Sequence, residues 1–331
     1  MKISIITPVF NEEKSLERYF KALSAVEYPI DSFEVIFVND GSSDNSLVLL
    51  RKFQKKTKLR IKVINLKTNN GRAIARERGA KRAQFKYLFF LDCKCEIFPD
   101  ALRQINEINY QPLIGNAMQK NDSIVDRFFY SIRRKLYNGS FGENFDNIFI
   151  NKKNFNSVGK GTATFFCDKN LFLKSQIKNK ADKSCSDDTK LFWHIVKSKN
   201  ILKTSRVRVY YNTRATIFEN MEHMFNRGPK FADYYLSRKG PLYKYYPYVL
   251  FATFVGANVI ITYPLLGLGA LLLAAGIVGF YFTQSLKDFI LFSLLSLLFG
   301  GSFFLGLIRA KIRDFLIVIL AVLLCYVAFF A

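Results

Sequence analysis

Short apolar runs alternate with amphipathic stretches over the first hundred residues. Residues 2–10 (KISIITPVF), 33–38 (FEVIFV), 60–66 (RIKVINL) and 87–91 (YLFFL) are brief and bounded by polar positions. Their β-branched and aromatic content predicts four buried strands. Between them Leu16, Tyr19, Phe20 and Leu23 share one helical face, and further helices are predicted over 43–56, 71–83 and 99–108. Repeated strand-helix units of this length predict an α/β fold, a mostly parallel sheet with helices on both faces. Such sheets bind ligands beyond the carboxyl ends of their strands. That rule singles out Asn11-Glu12, Asn39-Asp40-Gly41, Asn69-Asn70-Gly71 and Asp92.

The middle of the chain is less regular. Residues 126–136 read as a basic amphipathic helix, 138–160 as a long polar loop, 162–167 (TATFFC) as a strand and 188–196 as a helix. Residues 206–211 (RVRVYY) alternate as an edge-type strand does, and 218–236 form a helix with aromatics on one side and bases on the other. That helix suits a bilayer surface, or equally the flank of a domain. From Tyr248 onward four apolar segments follow, at about 248–263, 265–282, 289–308 and 315–331. A span needs ~17–25 apolar residues; the third and fourth segments meet this, and the first two form a hairpin broken at Pro264. The expected organisation is an α/β domain over 1–215, an interface helix and linker over 216–246, and an all-α transmembrane region of three or four spans over 247–331. Four spans with a cytoplasmic front domain would put Arg309, Lys311 and Arg313 outside, against the positive-inside tendency. An interfacial first segment removes that conflict.

Charge is as uneven as hydropathy. Past Pro247 the only bases are Lys287, Arg309, Lys311 and Arg313 and the only acids Asp288 and Asp314, so nearly all of the +23 net charge lies ahead of the tail. A basic domain tied to apolar spans predicts a face near anionic headgroups or an anionic substrate. No nucleic-acid-binding motif accompanies the charge, and nucleic acid is not an expected partner. Five scattered cysteines form no secreted disulfide framework and predict a reducing compartment. With only His194 and His223 present, neither a multi-histidine zinc site nor a Ser-His-Asp triad is expected. The first apolar run, 1–10, is too short for a signal peptide, so the front domain is expected to remain on the cytoplasmic side.

Four motifs occur in order at the strand ends: Ile6-Thr-Pro-Val-Phe-Asn-Glu12, Val38-Asn-Asp-Gly-Ser-Ser-Asp44, Asn70-Gly-Arg-Ala-Ile-Ala-Arg-Glu-Arg-Gly79 and Phe90-Leu-Asp92. Together they resemble the nucleotide-binding half of the family-2 inverting glycosyltransferases, closely over 1–100 and more loosely over 160–230. The resemblance implies a GT-A fold, Rossmann-like with a mostly parallel sheet. It also implies a nucleotide-sugar donor, and the apolar tail resembles that of members building exported polysaccharides or lipid-linked glycans.

The residues carry a parallel chemical reading. Asp40, just past a buried strand, offers a carboxylate to a uracil or guanine N–H, with Gly41 permitting the turn beside it. Alone, an Asp-Gly turn without a ligand is as common. Pro8, Asn11 and Glu12 end the first strand; the resemblance brings Glu12 toward the nucleoside, and the plain alternative is Asn11 capping a helix. Gly71 opens a helix whose first turns carry Arg72 and Arg76, a natural diphosphate site. Gly71, Ala75, Arg76 and Gly79 match the family pattern, and Glu77 departs from its usual asparagine.

Related enzymes place an Asp-x-Asp at the fourth strand end, holding Mg²⁺ or Mn²⁺ against the diphosphate. Here the sequence is Asp92-Cys93-Lys94-Cys95-Glu96, so the second acid is lysine. Three accounts stay open: Asp92 holds the metal alone, Glu96 substitutes, or Lys94 itself neutralises the diphosphate. Ser186-Asp187-Asp188-Thr189-Lys190-Leu191 resembles the family's Glu-Asp-x-x-Leu element, which would make Asp188 the general base and Asp187 its neighbour. The plain alternative is two acids at a helix start. Arg227, in Met224-Phe-Asn-Arg227-Gly228, matches loosely a segment that positions an arginine near diphosphate or acceptor; a lipid-headgroup contact explains it equally.

The resulting expectation is inverting transfer from a UDP- or GDP-sugar to a membrane-associated acceptor: a lipid-linked glycan, a polyprenyl phosphate or a polysaccharide. The alternatives are a membrane nucleotidyltransferase and a non-catalytic scaffold binding nucleotide-sugar or lipid.

Overall fold

A computed structural model describes residues 1–119, 122–137, 139–177, 185–214, 216–283 and 286–330, with backbone only at 286–287 and 325–330. The first residue of the expected 138–160 loop and the side chain of Cys325 therefore fall outside the described residues. The chain folds as two compact units. The first comprises Met1–Asn121, Arg133–Lys183 and Asp187–Thr213; the second comprises Asp122–Ile132, Ser184–Ser186 and Arg214–Ala331.

The first unit opens with the four expected strand-helix repeats. These are β1 (Ile3–Val9), α1 (Glu13–Ser24), β2 (Phe33–Asp40), α2 (Ser46–Lys56), β3 (Ile61–Leu66), α3 (Arg72–Arg82), β4 (Tyr87–Leu91), a short β5 (Cys95–Ile97) and α4 (Ala101–Ile108). There follow β6 (Leu113–Gln119), β7 (Ile148–Ile150), β8 (Thr164–Asp168), α6 (Lys169–Lys174), α7 (Asp187–Val196) and β9 (Ile201–Tyr211), while α5 (Ile124–Leu136), between β6 and β7 in sequence, belongs up to Ile132 to the second unit. The sheet order is β3-β2-β1-β4-β8-β6-β9-β5, with β7 also on β9. Its first four strands are parallel, and β8 runs antiparallel between β4 and β6. The sheet is thus a parallel half joined to a mixed half.

Burial explains the alternation read from the sequence. Every residue of β2 is buried, as a strand covered on both faces requires. One face meets Leu16, Tyr19, Leu23 and Leu50 in a core that continues through Phe89, Phe166 and Val207. On the opposite face α3 lies close to β1: a Cβ added at Gly79 would sit 2.5 Å from Ile6 Cγ2. Any larger residue there pushes α3, and the arginines it carries, off the sheet.

The strand at 206–211 is not an edge strand. It extends back to Ile201 and pairs with β6, β5 and β7, so it lies inside the sheet. Helix 43–56 begins at Ser46 rather than Ser43, and no side-chain cap bond forms at Asn45; the Asp44 carboxylate instead accepts from the Ser46 amide.

The second unit contains α8 (Ile217–Tyr235), α9 (Tyr246–Thr262), α10 (Pro264–Phe282), α11 (Leu286–Ala310) and α12 (Ile312–Phe330). A Thr216–Glu219 capping box starts α8, each side chain bonding the other's backbone amide. The helix packs directly on α11, where a Cβ at Gly228 would meet the Leu307 amide at 2.4 Å. Small residues let the two backbones approach this closely. Val125 and Phe128 of α5 pack with Phe292, Leu295 and Phe299 of α11. Among the described residues three helices are long and apolar enough to cross a membrane: Tyr243–Thr262, Pro264–Phe282 and Asp288–Ala310. Large apolar side chains stand exposed along them, Leu265 by 86 % and Phe280 by 75 %. These helices fit a multi-pass membrane anchor, because in lipid such surface is satisfied rather than wasted.

Candidate active site

The loops at the carboxyl ends of β1, β2 and β4 and the N-termini of α3 and α7 converge within the first unit. Arg72 and Arg76 lie one turn apart on α3 and therefore share a face. The Arg76 guanidinium, 3 % exposed, is the hub: Nη1 donates to Asp188 Oδ1 at 2.9 Å and to Asp187 Oδ2 at 3.3 Å, and Nη2 to Asp92 Oδ1 at 3.3 Å. Arg72 grips Asp187 with two nitrogens, Nη2 at 3.0 Å and Nε at 3.2 Å. The buried Thr162 hydroxyl donates to Asp188 Oδ1 at 3.0 Å. Three predicted acids and one predicted arginine, drawn from positions as far as 112 apart in sequence, thus form one cluster. Thr162 was not foreseen, because a threonine ahead of a strand carries no signal of its own.

Electrostatics keep Arg72 charged. Asp188 first, and Asp187 after it, raise Arg72 above the ordinary guanidinium range against the opposing effect of burial. Asp187, Asp188 and Arg76 also line a small pocket whose other wall is Phe172, Ile177 and Leu191.

The remaining predicted residues brace the cleft. Both Asp40 oxygens are occupied by backbone: Oδ1 accepts from the Asn70 amide at 2.9 Å and Oδ2 from the Gly71 amide at 2.8 Å. Asp40 is only 2 % exposed. In this structure it fixes the start of α3 and hence the arginines. Gly71 has φ +91°, a conformation that favours glycine. Gly41 has φ +71°, and a Cβ there would lie 2.6 Å from the Thr68 carbonyl carbon, so these two loops touch backbone to backbone. Replacing Asp40 with alanine leaves the Asn70 amide without this acceptor, while the Gly71 amide keeps Asn69 Oδ1 at 3.1 Å, and should destabilise the domain by about 1–3 kcal/mol. Chemical denaturation would reveal it as a lower midpoint with unchanged slope.

Asn11 does not cap α1. It has φ +51°, and its Oδ1 accepts from the Ser43 amide at 2.8 Å, tying the β1 loop to the β2 loop. Glu12 accepts from the Ser15 hydroxyl at 2.8 Å and lies 3.7 Å from the Lys94 ammonium. The Pro8 carbonyl accepts from the Cys93 thiol at 3.2 Å. Burial raises the Cys93 thiol well above its ordinary range, with Glu12 and Asp92 adding to it, and burial does the same to Cys95. Glu77 pairs with Lys81 along α3. Arg227 belongs to the second unit, exposed on α8.

The set around Asp92 does not fit a divalent cation held by the protein. Where Asp92, Asp187 and Asp188 converge, the Arg76 guanidinium fills the centre. Glu96 accepts from Asn212 Nδ2 at 2.8 Å, and the remaining neighbour is Lys94. Among the described residues no three His, Cys, Asp or Glu side chains are placed to hold a metal ion.

A doubly covered parallel sheet with charged loops at its carboxyl rim defines a nucleotide-binding α/β domain. The sequence profile of glycosyl transferase family 2 matches residues 4–178, more than half of the chain, and the protein belongs to that family. The poly-beta-1,6-N-acetyl-D-glucosamine synthase of Staphylococcus epidermidis is 32 % identical over 114 residues, 34 % of this chain and 27 % of the relative. The dodecaprenyl-phosphate galacturonate synthase of Rhizobium johnstonii is 32 % identical over 133 residues, 38 % of this chain and 39 % of the relative. The chain thus spans well under two thirds of the length of these curated relatives. The mannosyltransferase PcManGT from Pyrobaculum calidifontis, solved with GDP-Man and Mn²⁺, shares the fold. Its TM-score is 0.56 at 16 % identity, over 95 % of this chain and 86 % of that one. The GT-A-like core followed by apolar helices is thereby established.

Proposed function

We propose that the protein transfers a sugar, with inversion, from a UDP- or GDP-sugar to a hydroxyl of a membrane-associated acceptor. The observation that carries this reading is the Arg76 hub, which holds Asp92 from the donor-side loop and Asp188 from α7 in one constellation. Family membership supports the reaction class, and the apolar helices support an acceptor confined to the membrane.

In such a transfer the acceptor oxygen attacks the anomeric carbon from the face opposite the diphosphate. The carbon–oxygen bond to the diphosphate breaks, and the departing group keeps the electron pair. Asp188 takes the hydroxyl proton as the new bond forms. Its orientation comes from Arg76 and Thr162, which bond the same oxygen, Oδ1. Arg72, held fully charged by Asp188 and Asp187, is the more exposed guanidinium and supplies positive charge toward the departing diphosphate. A phosphate acceptor would need no base, so the oriented Asp188 supports a sugar hydroxyl over a polyprenyl phosphate. Arg238 and Lys239, just ahead of the first span, support a cytoplasmic first unit.

Thermal unfolding of the detergent-solubilised chain across a panel of nucleotide-sugars tests the donor assignment. The expected result is a raised midpoint with the UDP or the GDP series and none with adenine nucleotides. A panel in which no uridine or guanosine donor shifts the midpoint would overturn the assignment.

A further inference from the structure

We propose that Lys94 occupies the place of a divalent cation at the donor diphosphate, so that this protein binds its nucleotide without metal. The inference rests on the donor-site reading above and concerns how the charge of the diphosphate is met.

The local backbone makes Lys94 part of a built site. The Cys95 amide donates to the Asp92 carbonyl at 2.9 Å, closing a tight turn between β4 and β5. Cys93 and Cys95 are buried under it, and the Cys93 thiol is anchored on Pro8. Asp92 and Lys94 occupy the intervening positions, with side chains 32 % and 27 % exposed. The turn therefore presents one carboxylate and one ammonium where an Asp-x-Asp would present two carboxylates. Asn212 secures the turn from β9, donating through its amide and Nδ2 to the Lys94 carbonyl at 2.8 and 3.2 Å.

Charge and geometry then point the same way. Exchanging a carboxylate for an ammonium changes the local charge by two units, the charge a Mg²⁺ or Mn²⁺ ion would bring. An ammonium is also a point charge suited to phosphate oxygens. Lys94 is held only loosely by Glu12: 3.7 Å is well beyond the ~2.7–2.9 Å of a formed charge-assisted hydrogen bond. The nearby acids are engaged elsewhere, Asp92 with Arg76 and Glu96 with Asn212. A metal ion arriving here would face the Lys94 ammonium and the Arg76 guanidinium, whereas a diphosphate would be drawn to both.

The test is calorimetric titration of the full chain in detergent with UDP and with GDP, once in EDTA and once in Mn²⁺. Wild-type protein should bind one of the two with affinities within about threefold in the two buffers. Lys94→Met should weaken binding in EDTA by about tenfold to a hundredfold, the worth of a charge-assisted hydrogen bond, and Lys94→Arg should retain it. Lys94→Asp should bind only when Mn²⁺ is present. Unfolding midpoints without nucleotide check that each variant folds; should Lys94→Asp fail to, the EDTA comparison and Lys94→Met decide. Wild-type binding that disappears in EDTA and returns with Mn²⁺ would sink the inference while leaving the donor reading intact, as would Lys94→Met binding like wild type. Failure of both nucleotides in both buffers would defeat the donor reading and the inference with it.

Discussion

Changing Asp188 to asparagine should lower sugar transfer by about 10²–10⁴-fold, the usual contribution of a positioned general base. Asparagine keeps the shape and an acceptor oxygen for Arg76 Nη1 and the Thr162 hydroxyl, so the cluster should hold together. What it removes is the capacity to take the acceptor's proton. Donor affinity, measured by calorimetry alongside the initial rate of transfer, should therefore stay close to wild type. Full activity in the variant would remove Asp188 from the chemistry. A parallel loss of donor binding would assign it to holding the arginines in place.

The largest stability effect is expected at Arg76. Its guanidinium is almost wholly buried and is shared among Asp92, Asp187 and Asp188. Arg76→Met leaves those carboxylates facing one another with only Arg72 nearby. Removing one partner from a buried charged network costs about 3–5 kcal/mol. For a domain of this size that lowers the thermal midpoint by on the order of 10 °C. Arg76→Lys should rescue little, since an ammonium cannot span three carboxylates as a planar fork does. Adding Asp187→Asn to Arg76→Met should recover part of the loss, because it removes one of the stranded charges. A loss below about 1 kcal/mol in Arg76→Met would show that the network is solvated and not structural.

The parallel half of the fold is legible because its period changes cleanly, from runs such as Phe33–Asp40, buried throughout, to helices with one apolar face. The mixed half hides for identifiable reasons. Strand β5 is three residues long, too short for any periodicity. Strand β6 carries Gly115 at a register shift, where a Cβ would meet the Val207 carbonyl at 2.5 Å, so the feature that breaks the pattern is what lets β9 approach. In β9 the polar Lys203 and Thr204 are buried. Lys203 donates to the Gly115 carbonyl at 2.7 Å, and burial pushes its pKa down to about 8. A lysine inside a strand reads as loop in sequence, which is why only the alternating end, 206–211, stood out and looked like an edge.

The candidate site was legible as a set of residue types at strand ends, and its partnerships were not. Nothing in sequence spacing tells that Arg76 reaches residues 111 and 112 positions away while Asp40 turns to the backbone of Asn70 and Gly71. Those choices depend on the φ of Gly71 and on where α7 lands against α3, both set by the tertiary fold. Charge conveyed the chemistry; geometry divided the labour.

Identifying the leaving group decides the reaction class more directly than any variant does. Purified protein in its native membrane, given donor and lipid extract, should release UDP or GDP in step with incorporation of sugar into the lipid or polymer fraction. Chromatographic detection of pyrophosphate instead would mean that the bond between phosphates is the one broken, and that nucleotidyl transfer is the activity. Intact donor, with sugar incorporated nowhere, would leave a binding protein in the place of an enzyme.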